Sequence, residues 1–173
     1  MWLGEFLMQD RAANRGNSKA LLVLPLFRLA HYLACGPPWR AILGKPYLLF
    51  YRVAVEWLFC IEIQPRTVIG KGLRLYHGQA LVVNEHTIIG VNCTLRSSTT
   101  IGNKVLRDGT LSGCPRIGQN VDIGANVVIV GDVIIGDNAI IGAGSVVVKN
   151  VPSDVVACGN PAHVVRHLTE IQR

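Results

Sequence analysis

Aliphatic residues recur every six positions through the C-terminal two thirds of the chain. Six hexads follow one another from Ile117, four run from Val83 and three from Ile63, and each begins with Ile, Val or Leu. This period matches neither the 3.6-residue repeat of an α-helix nor the two-residue alternation of a hairpin strand. It predicts a triangular coil of about eighteen residues, with successive coils stacked at the ~4.8 Å spacing of β-strands. The chain is therefore predicted to be mainly β, with a parallel β-helix over residues 63–152.

The hexad register breaks at two places. Leu81 and Val82 are two extra residues, which we interpret as a small bulge. The segment 107–116 (RDGTLSGCPR) adds ten more, rich in Gly and polar side chains, and is predicted to leave the coil as a loop. Loops held by a rigid scaffold often carry functional residues. The loop therefore either contributes to a site or is a tolerated surface insertion.

Residues 1–62 are predicted to form a short helical segment, and 153–173 a C-terminal tail. Two apolar stretches, 21–34 and 47–63, predict amphipathic helices; neither has the ~20 uninterrupted apolar residues that a membrane-spanning helix needs. Seven Lys/Arg against four Asp/Glu in 1–62 leave open a peripheral contact with anionic lipid. No signal-peptide pattern opens the chain. The expected location is cytoplasmic, with the inner face of the membrane as the further option.

Charge and cysteine spacing exclude several classes of partner. The net charge is +6, but the basic residues are scattered and not interleaved with aromatic residues, which argues against nucleic acid. The basic balance also suits a phosphorylated small molecule. The five cysteines are at least 21 residues apart, so neither a zinc site nor a disulfide framework is predicted, and a reducing compartment is favoured.

Several motifs together resemble one enzyme family. They are IEIQPRTVIGKG (61–72), HG and LVVNE (77–85), CPRIG (114–118), IGAGSVVVKNVP (141–152) and GNPAHVVR (159–166), with FRLAHYL (27–33) before them. The chain resembles the left-handed β-helix acyltransferases of the serine acetyltransferase branch, and most nearly those encoded with colanic acid and other exopolysaccharide genes. The resemblance implies a left-handed parallel β-helix, a homotrimer, and acetyl transfer from acetyl-CoA to a hydroxyl without a metal.

The resemblance also implies an acceptor site. His77 stands where the branch has its general base, a task for which imidazole is suited near neutral pH. Glu85 matches an acidic position that would orient the base, and Glu62 replaces an Asp of the serine enzymes. Tyr76 and Cys114 replace an Asp and a second His that would hold serine, which favours a sugar acceptor. From the residues alone, His77 also fits a surface histidine, Glu85 a solvated carboxylate and Cys114 a wall residue.

The resemblance carries over a set of residues for CoA. Ala125 and Ala143 are eighteen residues apart, where small side chains let the pantetheine arm lie flat between coils. Lys149, His163 and Arg166 match positions near the nucleotide, and their basic character suits its negative charge. Without the resemblance, the two alanines fit plain coil packing.

The leading interpretation is an O-acetyltransferase acting on a sugar hydroxyl in exopolysaccharide biosynthesis. One alternative is a serine O-acetyltransferase, against which Tyr76 and Cys114 argue. A zinc-dependent carbonic anhydrase would need three converging histidines, and only His77 and His86 lie within the predicted coils. A non-catalytic β-helix that serves as a scaffold is the remaining alternative.

Overall fold

The computed structural model describes residues 2–168 and confirms a parallel β-helix preceded by helices. Thirteen short strands follow one another around the coils within these residues, and two longer strands follow them. They are β1 (Ile61–Ile63), β2 (Val68–Ile69), β3 (Arg74–Tyr76), β4 (Leu81–Val83), β5 (Ile88–Ile89), β6 (Thr94–Arg96), β7 (Thr100–Gly102), β8 (Arg116–Ile117), β9 (Asp122–Ile123), β10 (Val128–Val130), β11 (Ile134–Ile135), β12 (Ile140–Ile141), β13 (Val146–Val147), β14 (Val155–Gly159) and β15 (Ala162–His167).

Every third strand joins the same sheet, so the three sheets form the three sides of the coil. The first sheet has the order β1-β4-β7-β10-β13, the second β2-β5-β8-β11 and the third β3-β6-β9-β12-β14-β15. All pairings are parallel except that of β14 with β15. Five strands in the first sheet correspond to five coils, slightly more than the thirteen hexads alone indicate.

The core is the aliphatic column that the hexads predict. The first positions of all thirteen hexads are buried, and small or polar fifth positions such as Thr67, Thr99 and Ser145 fill the inner corners.

At one corner, Asn92, Asn120 and Asn138 adopt positive φ and their side chains form a hydrogen-bonded ladder. Asn tolerates the left-handed conformation, so the same residue type both turns the chain and links neighbouring coils.

The N-terminal segment contains four α-helices within the described residues. They are α1 (Leu3–Leu7), α2 (Ser18–Ala34), α3 (Pro38–Leu43) and α4 (Lys45–Tyr51), with a 3₁₀ turn at Ala12–Asn14 and a π-helical segment at Arg52–Leu58. The predicted helix at 21–34 lies within α2. The predicted helix at 47–63 is correct only to Leu58, because its last three residues form β1. Within residues 2–168, no helix is long and apolar enough to cross a membrane.

The helical segment covers the open end of the first coil, where strand edges would otherwise lack partners. Asp10 and Arg28 form an ion pair, both side chains at most 3% exposed. Arg28 also donates to the carbonyl oxygens of Ile69 and Gly70 at 2.6 and 2.8 Å, and the backbone N–H of Leu73 donates to Asp10 at 2.9 Å. An uncovered edge strand invites aggregation, so this segment protects the end of the β-helix.

The two register breaks lie at residues other than those expected. The bulge predicted at Leu81 and Val82 is wrong, because both residues lie in β4, where they pair with Ile61 and Glu62. Tyr76 pairs with Arg96, yet the N–H of Ser98 donates to the carbonyl of Gln79. The two extra residues of the first coil are therefore His77 and Gly78.

The excursion between β7 and β8 also begins earlier than the hexads indicate. Val105 is the fifth residue of the hexad that begins at Ile101 and would point inward in a continuous coil, but it is 68% exposed and forms an antiparallel bridge with Leu111. Pro115 occupies the inward place, two residues before Ile117, and Arg116 is already part of β8. The ten extra residues are therefore 105–114, and Cys114 is the last of them.

Candidate active site

Two corners of the β-helix carry most of the candidate residues. We call the turns that join the third sheet to the first the His77 corner; it comprises residues 77–80, 97–99, 124–127 and 142–145. The turns that join the first sheet to the second are the Cys114 corner, comprising 64–67, 84–87, 103–115, 131–133 and 148–150. The strands of the first sheet separate the two corners within one chain.

The two inserted residues form a tight turn that carries His77 outward. His77 and Gly78 have φ values of 64° and 68°, and the N–H of Gly78 donates to the carbonyl of Tyr76 at 2.8 Å. Gly78 is buried, and a Cβ there would lie 3.0–3.2 Å from side-chain atoms of Ile61 and Leu75. A left-handed residue other than Gly costs ~1–2 kcal/mol. Ala80, Ser98 and Asn126 at the same corner also have positive φ, so this conformation recurs in the turns of the coil.

A charged group that the sequence analysis missed lies beside this turn. The guanidinium of Arg96 is 5.5 Å from the centre of the Tyr76 ring, on the neighbouring coil. The same guanidinium forms an ion pair with Asp122 and donates to the carbonyl of Ile123 at 2.8 Å. Arg96 therefore packs beside the side chain of Tyr76, the residue that directly precedes His77. The spacing of twenty residues between Tyr76 and Arg96 could have revealed this contact, had the insertion been placed correctly.

Small residues continue the His77 corner along the helix axis. Backbone hydrogen bonds with N–O distances of 2.8–3.0 Å join successive coils here and align Gln79, Ser97, Ala125 and Ala143 above one another. A Cβ on Gly124 would lie 2.5 Å from the backbone nitrogen of Ala143. The coils are thus in direct contact here, and the corner presents a flat surface. At ~4.8 Å per coil, an elongated ligand from His77 to Ala143 would cover roughly 14 Å.

At the Cys114 corner, the thiol of Cys114 has a polar partner. The thiol of Cys114 donates to the side-chain oxygen of Asn84 at 3.3 Å, a contact that sequence reasoning also missed. Burial raises the pKa of this thiol, against a smaller lowering by the backbone N–H of Asn103. A protonated thiol is a poor nucleophile, so Cys114 is better suited to line a site than to carry an acyl group.

Glu85 lies at the Cys114 corner and not beside His77. Its carboxylate is 40% exposed and lies 3.8 Å from His86 Nε2. It also lines a cavity of about 200 Å³ together with Arg52, Glu56 and Arg66. Within one chain, Glu85 is therefore on the far side of the first sheet from the imidazole that it was expected to orient. Glu62 is exposed on β1, between the two corners.

The residues expected to bind CoA do not all lie together: some lie at the His77 corner, one lies at the Cys114 corner, and two lie on β15. Ala125 and Ala143 lie on the His77 corner. His163 follows the turn after β14, opposite Cys158, and that turn reaches the corner because the N–H of Gly159 donates to Ser145 at 3.2 Å. Exposed Lys149 lies at the Cys114 corner. Arg166 is also exposed and pairs with Val156, at the opposite end of β14.

Comparison with known proteins identifies the relatives of this chain. Residues 114–149 match the family model for the bacterial transferase hexapeptide, six repeats. A protein of Escherichia coli K12, named as the colanic acid biosynthesis acetyltransferase WcaB, is 35% identical over 164 residues, which cover 91% of this chain and 98% of the relative. Serine acetyltransferase 4 of Arabidopsis thaliana is also 35% identical, but the match covers 88% of this chain and 41% of that protein. The chain therefore belongs to the bacterial hexapeptide-repeat transferases, and it is an acyl-CoA-dependent acetyltransferase.

Solved structures of serine acetyltransferases share the fold. The soybean apoenzyme has a TM-score of 0.79 at 34% identity, with 94% of this chain and 69% of that chain covered. The enzyme from Brucella abortus has a TM-score of 0.76 at 28% identity, with 95% and 69% covered. Acetyl-CoA is the co-substrate that these relatives imply.

Proposed function

We propose that this enzyme transfers an acetyl group from acetyl-CoA to a sugar hydroxyl during exopolysaccharide biosynthesis. The observation that carries the proposal is length: the chain matches the colanic acid relative over 98% of that protein, but only 41% of a serine enzyme of equal identity. The side chain next to His77 also supports a sugar acceptor. Tyr76, packed beside Arg96, directly precedes His77 and offers an aromatic face and a phenol, which suit a pyranose ring better than an amino-acid zwitterion.

His77 would act as the general base. Its exposed imidazole takes the proton of the acceptor hydroxyl while the oxygen attacks the thioester carbonyl carbon. The tetrahedral intermediate then collapses, the carbon–sulfur bond breaks, and the CoA thiolate takes the proton back from the imidazolium. The acetyl ester and CoA leave, and His77 returns to its neutral state.

We further propose that the working form is a homotrimer. In one chain His77 is separated from Cys114, Glu85 and Lys149 by the width of the first sheet. A neighbouring copy that brings its Cys114 corner to the His77 corner would supply all three, and would enclose a cofactor lying along Ala125 and Ala143. We place the reaction in the cytoplasm, in keeping with five cysteines that are all free.

Replacing Lys149 or Arg166 with Ala should raise the KM for acetyl-CoA and leave kcat nearly unchanged. Contacts with a remote phosphate bind ground state and transition state alike, so they affect substrate affinity more than the chemical step. Steady-state kinetics at saturating acceptor measure both constants. Arg107→Ala, an exposed base in the loop, is the matched control. A large fall in kcat with unchanged KM would assign Lys149 or Arg166 another role.

Acceptor assays separate the two acetyltransferase functions. Release of CoA thiol from acetyl-CoA is measured with L-serine and with hexoses, nucleotide sugars and polyisoprenyl-linked oligosaccharides of the host polysaccharide. We expect turnover with one or more saccharides and none with L-serine. Turnover with L-serine alone would establish the serine enzyme, and binding of CoA without turnover of any acceptor would favour the scaffold.

A further inference from the structure

One surface of the N-terminal segment is apolar although it faces solvent. It is formed by α3, α4 and the π-helical segment, and we call it the apolar face. Its side chains are 44–77% exposed: Trp39, Ile42, Leu43, Leu49, Phe50, Val53, Trp57 and Leu58. Isolated exposed apolar residues are ordinary, but a contiguous patch usually marks a contact with a protein or a membrane.

The helical stretch 45–58 is apolar on two sides. Tyr51 and Val55 are fully buried against the rest of the chain, and the hydroxyl of Tyr51 donates to the carbonyl of Ile63 at 2.7 Å. Leu49, Val53 and Trp57 follow one another at intervals of four residues on the exposed side. A helix that packs on one side normally presents polar residues on the other, and one that is apolar all round is normally covered.

Positive charge accompanies the apolar face. From residue 11 to residue 61 the chain contains seven Lys/Arg and a single acid, Glu56. Arg28 is neutralised by Asp10, and Arg52 approaches Glu56 at 3.7 Å. Arg40 and Lys45 belong to the same helices as the apolar face and have no acidic partner among residues 2–168. The guanidinium of Arg40 packs 4.0 Å from the ring of Tyr32.

We propose that the apolar face binds the surface of an anionic phospholipid bilayer. Exposed Trp, Leu and Phe side chains would enter the boundary between headgroups and acyl chains, where Trp is enriched. Arg40, Lys45 and Arg52 would contact the anionic headgroups. A twofold contact between two copies of this face would bring the same bases together, and the proposed trimer contact uses the His77 and Cys114 corners instead. The charge pattern therefore complements a lipid surface and not a second copy of the face.

Vesicle sedimentation with the full chain tests the proposal. We expect binding to phosphatidylcholine vesicles that contain about a third phosphatidylglycerol, weaker binding to pure phosphatidylcholine, and loss of the difference at high salt. Trp57→Gln should weaken binding about tenfold and Lys45→Gln about fivefold. The matched controls are Trp2→Gln, which removes an 83% exposed Trp outside the apolar face, and Arg116→Gln on β8. Neither should change binding.

Light scattering without lipid identifies the competing occupant. We expect Trp57→Gln to keep the oligomeric state and the circular dichroism spectrum of the wild type. Two results would overturn the proposal: no binding of the wild type to either vesicle, or equal losses with Trp57→Gln and Trp2→Gln. Absence of vesicle binding, combined with dissociation of the Trp57→Gln oligomer, would show that another copy covers the apolar face.

Discussion

Replacing His77 with Asn should lower kcat for acetyl transfer by about 10²–10⁴-fold, the usual contribution of a positioned general base. Asn tolerates the left-handed conformation that position 77 requires, so the turn should survive. His77 is exposed, and the free energy of unfolding should change by no more than ~0.5 kcal/mol. The affinity for CoA should persist, because Ala125 and Ala143 are two and three coils away.

His86→Asn is the matched control for this prediction. His86 is also exposed and follows an acidic residue. The proposed mechanism uses only the imidazole of His77, so His86→Asn should keep most of the wild-type kcat even though the trimer brings the Cys114 corner to the His77 corner. If His77→Asn retains more than about a tenth of the wild-type kcat, well short of the expected loss, the base is another residue.

Replacing Asp10 with Ala should cost about 3–5 kcal/mol of stability, because it leaves the guanidinium of Arg28 buried without its counter-charge. It also removes the acceptor for the backbone N–H of Leu73. The first coil would lose part of the cover on its open end. Urea unfolding followed by circular dichroism measures the change. Aggregation at the exposed strand edge should increase as well.

Asp108→Ala is the control for the Asp10 variant. Asp108 lies on the exposed loop and accepts only from Thr110, so its removal should change stability by less than ~0.5 kcal/mol. The double variant Asp10→Ala/Arg28→Met should be less destabilised than the sum of the single variants, because it leaves no unpaired buried charge. A loss below about 1 kcal/mol in Asp10→Ala would show that water reaches Arg28.

Much of the fold could be predicted from sequence because one physical requirement repeats in every hexad. An aliphatic side chain must point inward once on each side of the coil, and this leaves a period that single substitutions do not hide. The positions of the insertions were harder. Leu81 was counted as an extra residue although it is fully buried, and Val105 is as apolar as an inward residue although it is exposed, so the hexad count reveals that residues are added but not where. The pairing of Tyr76 with Arg96, the hydrogen bond from Ser98 to Gln79 and the bridge between Val105 and Leu111 locate them.

No repeating sequence pattern reveals the contacts between the helical segment and the first coil, or the residues that surround His77. Asp10 and Arg28 are eighteen residues apart and meet through tertiary packing, which no local pattern encodes. In the sequence Arg96 is one scattered base among many, and only the tertiary structure shows that it lies near the ring of Tyr76. His77 itself was found through resemblance to known enzymes. The residues alone fit a surface histidine equally well.

His77, the proposed general base, and Gly78 are an insertion. The residue proposed for the chemistry therefore lies outside the repeat that builds the scaffold. Their neighbours on both sides, Tyr76 and Gln79, stay aligned with the next coil, so the turn is an addition to the repeat and not part of it. Without these two residues the first coil would have the same eighteen-residue length as a regular coil. A lineage of such chains could therefore gain, lose or exchange the proposed base through a two-residue change, while the scaffold that positions it remains the same.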